Sequence, residues 1–128
     1  MDEKGGIVWH PRPGIVGVVR SVNGVPIRLS EERWSHILKG HRELRDFQVE
    51  VLLTVLRPEA VYRSPPDPER GPQFAAVRMF ARLRTIGLAD NLVVHYREVS
   101  VDDGFILTSY LMSDGRLSGR FRDWTRLI

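Results

Sequence analysis

The chain contains no cysteine. That absence excludes disulfide frameworks, cysteine-ligated zinc, iron–sulfur clusters and thiol nucleophiles, and it is compatible with a reducing compartment. Long hydrophobic runs are also missing. No stretch approaches membrane-spanning length, and the opening MDEKGGIVWHPRPG, headed by Asp2 and Glu3, does not read as a secretory leader. A cytoplasmic protein with no membrane partner is the expectation. Metal ligands are scarce. His36 and His41 are spaced i, i+5, which is wrong for two ligands on one helix face, and no third ligand is evident. Neither a metal nor another cofactor is expected.

What is present suits one globular domain. At 128 residues, with 42% hydrophobic and 27% charged side chains, the chain can bury a core without staples. The net charge is +3 and the pI is near 9.8. The cations are largely arginine, which suits bidentate phosphate contacts better than lysine does.

Residues 1–13, with Gly5-Gly6, Pro11 and Pro13, read as a loose arm. Asn23-Gly24 between two β-branched runs predicts a hairpin. Pro26 cannot donate to a ladder, so the second strand of that hairpin is expected at a sheet edge, away from any active cleft. Ser30 caps a helix over 31–39, with Glu31 and Glu32 in its first turn and Trp34, Ile37 and Leu38 as its apolar stripe. Asp46 starts a second helix over 46–57, whose buried stripe is Phe47, Val51, Leu52 and Val55, and Pro58 ends it. A short strand follows over 60–64. Residues 74–83 suit a strand or a helix. Strands over 91–99 and 105–112 flank a turn at Asp102-Asp103-Gly104, and Ser113-Asp114-Gly115 turns the chain again. The order predicts an α+β fold: two N-terminal helices packed on a four-stranded antiparallel sheet, preceded by a β-hairpin. Trp34, Ile37, Leu38, Val51, Leu52, Val55, Val94 and Ile106 or Leu107 are the expected core.

The run Trp34-Ser35-His36-Ile37-Leu38-Lys39-Gly40-His41-Arg42-Glu43-Leu44 fits the form W-x-H-I-L-x-x-H-x-E-[LM]. Pro58-Glu59-Ala60-Val61-Tyr62-Arg63-Ser64 fits P-[DE]-x-V-x-x-S, and Phe105-Ile106-Leu107-Thr108-Ser109-Tyr110 fits [FIV]-[IV]-x-T-x-Y. In that order, across about residues 25–112, they resemble the phage-associated branch of the barnase–EndoU–colicin–RelE (BECR) nuclease superfamily. Arg42 departs from the pattern, which has proline there. The resemblance implies metal-independent cleavage of RNA by attack of the ribose 2′-OH on the adjacent phosphate. It also implies a toxin-like role in which RNA is the partner and a cognate inhibitor or antitoxin protein is a second one.

His36 lies off the apolar stripe, where a histidine either exchanges a proton with a substrate or simply meets water. His41, just past the helix end, suits a general acid or base, or an ordinary cap. Arg42 and Glu43 flank a phosphate or pair with each other. Thr108 and Tyr110 share one strand face and Ser109 takes the other. His95 and Arg97 share a face of the neighbouring strand, as a polar patch or as the solvent side of a half-buried sheet. With the resemblance, the expected catalytic groups are His36, His41 and Thr108, and the expected substrate-binding groups are Arg42, Arg97, Ser109 and Tyr110. Arg116, Arg120, Arg122 and Arg126, interleaved with Phe121 and Trp124, read as a nucleic-acid surface or as a covering segment with its cations in water. The alternative to a ribonuclease is a non-catalytic RNA- or protein-binding module of the same fold.

Overall fold

A computed structural model of the chain describes residues 5–85 and 89–128. The first four residues of the expected arm lie outside that range. The strands are β1 (Val8–Trp9), β2 (Ile15–Arg20), β3 (Pro26–Ser30), β4 (Ala60–Arg63), β5 (Gln73–Met79), β6 (Asn91–Ser100), β7 (Asp103–Met112) and β8 (Thr125–Arg126). The helices are α1 (Glu31–Gly40), α2 (Gln48–Leu56), α3 (Ala81–Thr85) and α4 (Asp114–Arg120), with a 3-10 turn at Arg42–Leu44. Among the described residues no helix is long and apolar enough to cross a membrane.

Among the described residues, eight strands form one sheet, in the order β1-β2-β3-β7-β6-β5-β4-β8. This overturns the expected two helices on a four-stranded antiparallel sheet. The hairpin and the meander are not separate units, because β3 pairs parallel with β7, through Ile27 with Gly104 and Arg28 with Phe105. The remaining pairings are antiparallel. Pro26 does not put its strand at an edge. It is the first residue of β3, a position that costs no ladder donor within the strand. The expected loose arm supplies β1, in which Val8 pairs with Val18 and Trp9 with Gly17.

The parallel junction depends on a close approach at Gly104. A Cβ there would lie 2.5 Å from the carbonyl oxygen of Arg97 and 2.5 Å from Cδ1 of Ile27. The carbonyl belongs to the backbone and cannot swing aside. Gly104→Ala is therefore expected to destabilise the fold by about 1–3 kcal/mol through overpacking. Urea unfolding checks this, and an unchanged midpoint would contradict it.

The α1 and α2 helices pack on one face of the sheet. Ile37, Leu44, Phe47, Val51, Leu52 and Val55 join Ile27, Leu29, Val94, Tyr96 and Ile106 in the main core, with Trp34 and Leu38 partly buried against it. Strand alternation sends Val93 to the opposite face, where it meets Ala75, Val77 and Phe121. The α4 helix covers that face with Leu117, so helices lie on both sides. The turn expected at Ser113-Asp114-Gly115 is instead the start of α4. Ser113 is extended at the N-cap, its carbonyl accepts from the Leu117 amide at 3.0 Å, and Asp114 sits in the first turn. Ser-Asp-Gly chemistry serves a turn and a helix start equally, and the Leu117–Phe121 pair decides between them by burial.

Candidate functional site

The site follows from how α1 is bounded. Ser30 accepts a hydrogen bond from the Arg33 amide at 3.0 Å and starts the helix as expected. Ile37 turns into the core, which leaves Arg33, His36 and Lys39 on the flanks. The helix ends at Gly40, and the amide of His41 caps it by donating to the carbonyl of Ile37 at 2.9 Å. The His41 ring is about one-third exposed, with its Nδ1 3.4 Å from a carboxylate oxygen of Glu43. The Arg42–Glu43 alternative is thus resolved toward a His41–Glu43 pair. Arg42 itself is exposed on the 3-10 turn.

Across from α1, β7 carries an extra residue. The β6–β7 register runs from His95 with Thr108 to Tyr96 with Ile106, so Leu107 is bulged out of the ladder. Beyond the bulge, Thr108 and Tyr110 point to the α4 side and Ser109 points to the core. Thr108 joins His36, Ile37, Lys39, Gly40 and His41 around a shallow cleft of about 380 Å³. The three groups expected to be catalytic therefore line one depression. Tyr110 stands next to it, its ring 6.1 Å from that of His41.

The other expected binding groups go elsewhere. Ser109 is fully buried and donates to the carbonyl of Val93 at 2.9 Å. Arg97 donates to the carbonyls of Arg70 and Gly71 at 3.2 and 3.1 Å, which ties down the loop before β5. Neither residue lines the cleft.

His95 is not on a solvent face. It is 2% exposed, covered by Phe121 and Trp124. Burial, helped by the charge of Arg120, pushes its pKa down to about 4, so the ring is neutral at physiological pH. Its Nδ1 lies 2.6 Å from the side-chain nitrogen of Gln73, and its Nε2 lies 2.7 Å from the Tyr110 hydroxyl. With the Gln73 amide donating to Nδ1, the ring proton resides on Nε2 and is donated to Tyr110. The charge of Arg120 lies near enough to favour electron density on the Tyr110 oxygen. Its oxygen thus accepts from His95, and its own proton is left to donate outward. Burial raises the Tyr110 pKa, against the opposing pull of Arg120, so it works as a neutral donor.

A second depression lies beside the first. About 510 Å³ in volume, it is lined by Arg28, Arg33, His36, Lys39 and Phe105, with Glu32 as the acid among its walls. His36 and Lys39 line both spaces, so the two lie side by side along α1. Sequence reasoning missed Arg28, Arg33, Lys39, Phe105 and Gln73, and left Arg120 unassigned between its two readings. One signal was available: Arg33, His36 and Lys39 recur every three residues off the Trp34–Ile37–Leu38 stripe, which places them along one helix flank. Among the described residues, no three histidine, aspartate or glutamate side chains are grouped as metal ligands. Compared with protein-family profiles, curated proteins and solved structures, the chain matches none.

Proposed function

We propose that the cleft between α1 and β7 cleaves RNA without a metal ion, by attack of a ribose 2′-OH on the adjacent phosphate. One observation carries this reading: His36, His41 and Thr108 line a single depression that adjoins a cationic groove. Two imidazoles beside one phosphate can divide the proton work of such a reaction. His41 serves as the base, because the Glu43 carboxylate 3.4 Å from its Nδ1 favours the imidazolium formed when Nε2 takes the 2′-OH proton. His36 then returns a proton to the departing 5′-oxygen. Thr108 and the outward hydroxyl of Tyr110 donate to the phosphate oxygens, where charge builds up in the transition state. The products are a 2′,3′-cyclic phosphate and a free 5′-hydroxyl, with no net consumption of protons.

The same reading gives the protein RNA as its partner, a cytoplasmic place of work and, in a toxin-like role, a cognate inhibitor protein that covers the cleft. The test is incubation with end-labelled single-stranded RNA in EDTA. Fragments bearing cyclic phosphate ends are the expected result, and intact RNA at high protein concentration would overturn the reading.

A further inference from the structure

We infer that the groove walled by β3, β7 and the first turns of α1 is a binding subsite for the unpaired nucleotides flanking the point of attack. The role of this subsite in turnover rests on the cleavage reading, whereas the binding itself does not. The groove exists because β3 and β7 pair only at Ile27–Arg28 and Gly104–Phe105. Beyond that short ladder the strands part, and α1 walls the gap.

The chemistry of the walls fits a sugar–phosphate strand with exposed bases. Arg28 is already ordered. It is paired with Asp103, donates to the carbonyl of Gly104 at 3.3 Å and lies 5.4 Å over the Phe105 ring. A guanidinium fixed against an aromatic ring offers a stacking surface that any base can use, and it loses little freedom when a ligand arrives. Arg33 and Lys39 have no ion-pair partner among the described residues, so their charges are available to phosphates. Glu32 opposes them as a single carboxylate. A base reaches the Arg28–Phe105 stack only if it is unpaired, so the groove selects single strands over duplex. His36 and Lys39 belong to this groove and to the cleft. A strand held here is thereby led to His41 and Thr108.

The test measures binding without cleavage. A fluorescent 2′-O-methyl oligouridine of about ten nucleotides lacks the attacking hydroxyl and is titrated by anisotropy at several salt concentrations. The parent should bind it more tightly than the corresponding duplex. Arg33→Ala/Lys39→Ala should weaken binding about ten-fold or more and reduce the salt slope by about one to one and a half, as expected for two lost phosphate contacts on a single strand. Phe105→Leu, which keeps apolar bulk, should weaken binding about five-fold or more while the melting temperature holds. Affinity equal to the parent in both variants would overturn the inference. So would equal affinity for duplex, or no oligonucleotide binding where a polyglutamate peptide binds, which would make the partner an acidic protein. The two readings fail separately. Groove-dependent binding by a protein that never cleaves RNA removes only the cleavage reading. RNA cleavage that is indifferent to Arg33, Lys39 and Phe105 removes only the groove.

Discussion

Replacing His41 by alanine is expected to lower the rate of RNA cleavage by ~10²–10⁴-fold, the usual contribution of one positioned proton-transfer group. The fold should survive the change. The His41 side chain is about one-third exposed, and the hydrogen bond that caps α1 comes from its backbone amide, which alanine retains. Thr108→Val keeps the β-branched shape of the strand residue and removes only the hydroxyl. Its expected cost is smaller, on the order of 1–3 kcal/mol in the transition state. Glu43→Gln should reduce the rate less than His41→Ala and alter its pH profile, because Glu43 acts through the imidazole it pairs with. If both histidines work, one as base and one as acid, the parent rate follows a bell in pH, and His41→Ala should lose one limb of it. Single-turnover rates across pH, with melting temperatures for each variant, decide the matter. A folded His41→Ala protein with the parent's rate would remove His41 from the chemistry.

The second large effect is on stability. The folded chain is expected to lose roughly 3 kcal/mol between neutral pH and pH 4 on account of His95 alone. The unfolded chain takes up a proton at this histidine near pH 6.5, whereas burial in the fold delays uptake to about pH 4. Between those values the unfolded state binds more protons than the native state, so stability falls as pH falls through the window. Below it both states are protonated, and no further loss comes from this group. His95→Gln provides the comparison, since an amide can still donate toward Tyr110 but does not titrate. Urea unfolding of parent and variant at pH 7 and pH 4 should show the gap between them change by that amount. Parallel losses in the two proteins would mean that His95 is not buried as described.

How much of this was legible beforehand depends on the distance over which each feature is decided. The α1 helix was readable because its start, stripe and stop are local: Ser30 caps, Trp34, Ile37 and Leu38 face inward, and Gly40 ends it. The β6 and β7 strands were readable as apolar runs about a tight turn. The β3–β7 ladder was not. It joins Ile27 to Gly104 across most of the chain, and no local pattern encodes a parallel pairing of two residues. The two-residue edge strands β1 and β8 are too short to show a period.

The site divides along the same line. His36 and His41 lie on one short segment, and the motif resemblance linked them to Thr108. Arg28 and Phe105 meet only because of the long-range ladder, so the groove they share had no sequence signature. His95 looked like one polar residue in an apolar run. Its burial depends on α4 folding where a turn was expected and on Phe121 and Trp124 closing over it.

If RNA is cut in the cleft of His36, His41 and Thr108, loss of both imidazoles must suppress the reaction. The measurement that tests this most directly is cleavage of a labelled single-stranded RNA in EDTA by the parent and by His36→Ala/His41→Ala, both shown to be folded by their melting temperatures. Cyclic-phosphate fragments are expected from the parent, and a rate lower by at least ~10²-fold from the double variant. A folded double variant that cuts RNA as fast as the parent, or a parent that leaves RNA intact, would contradict that expectation.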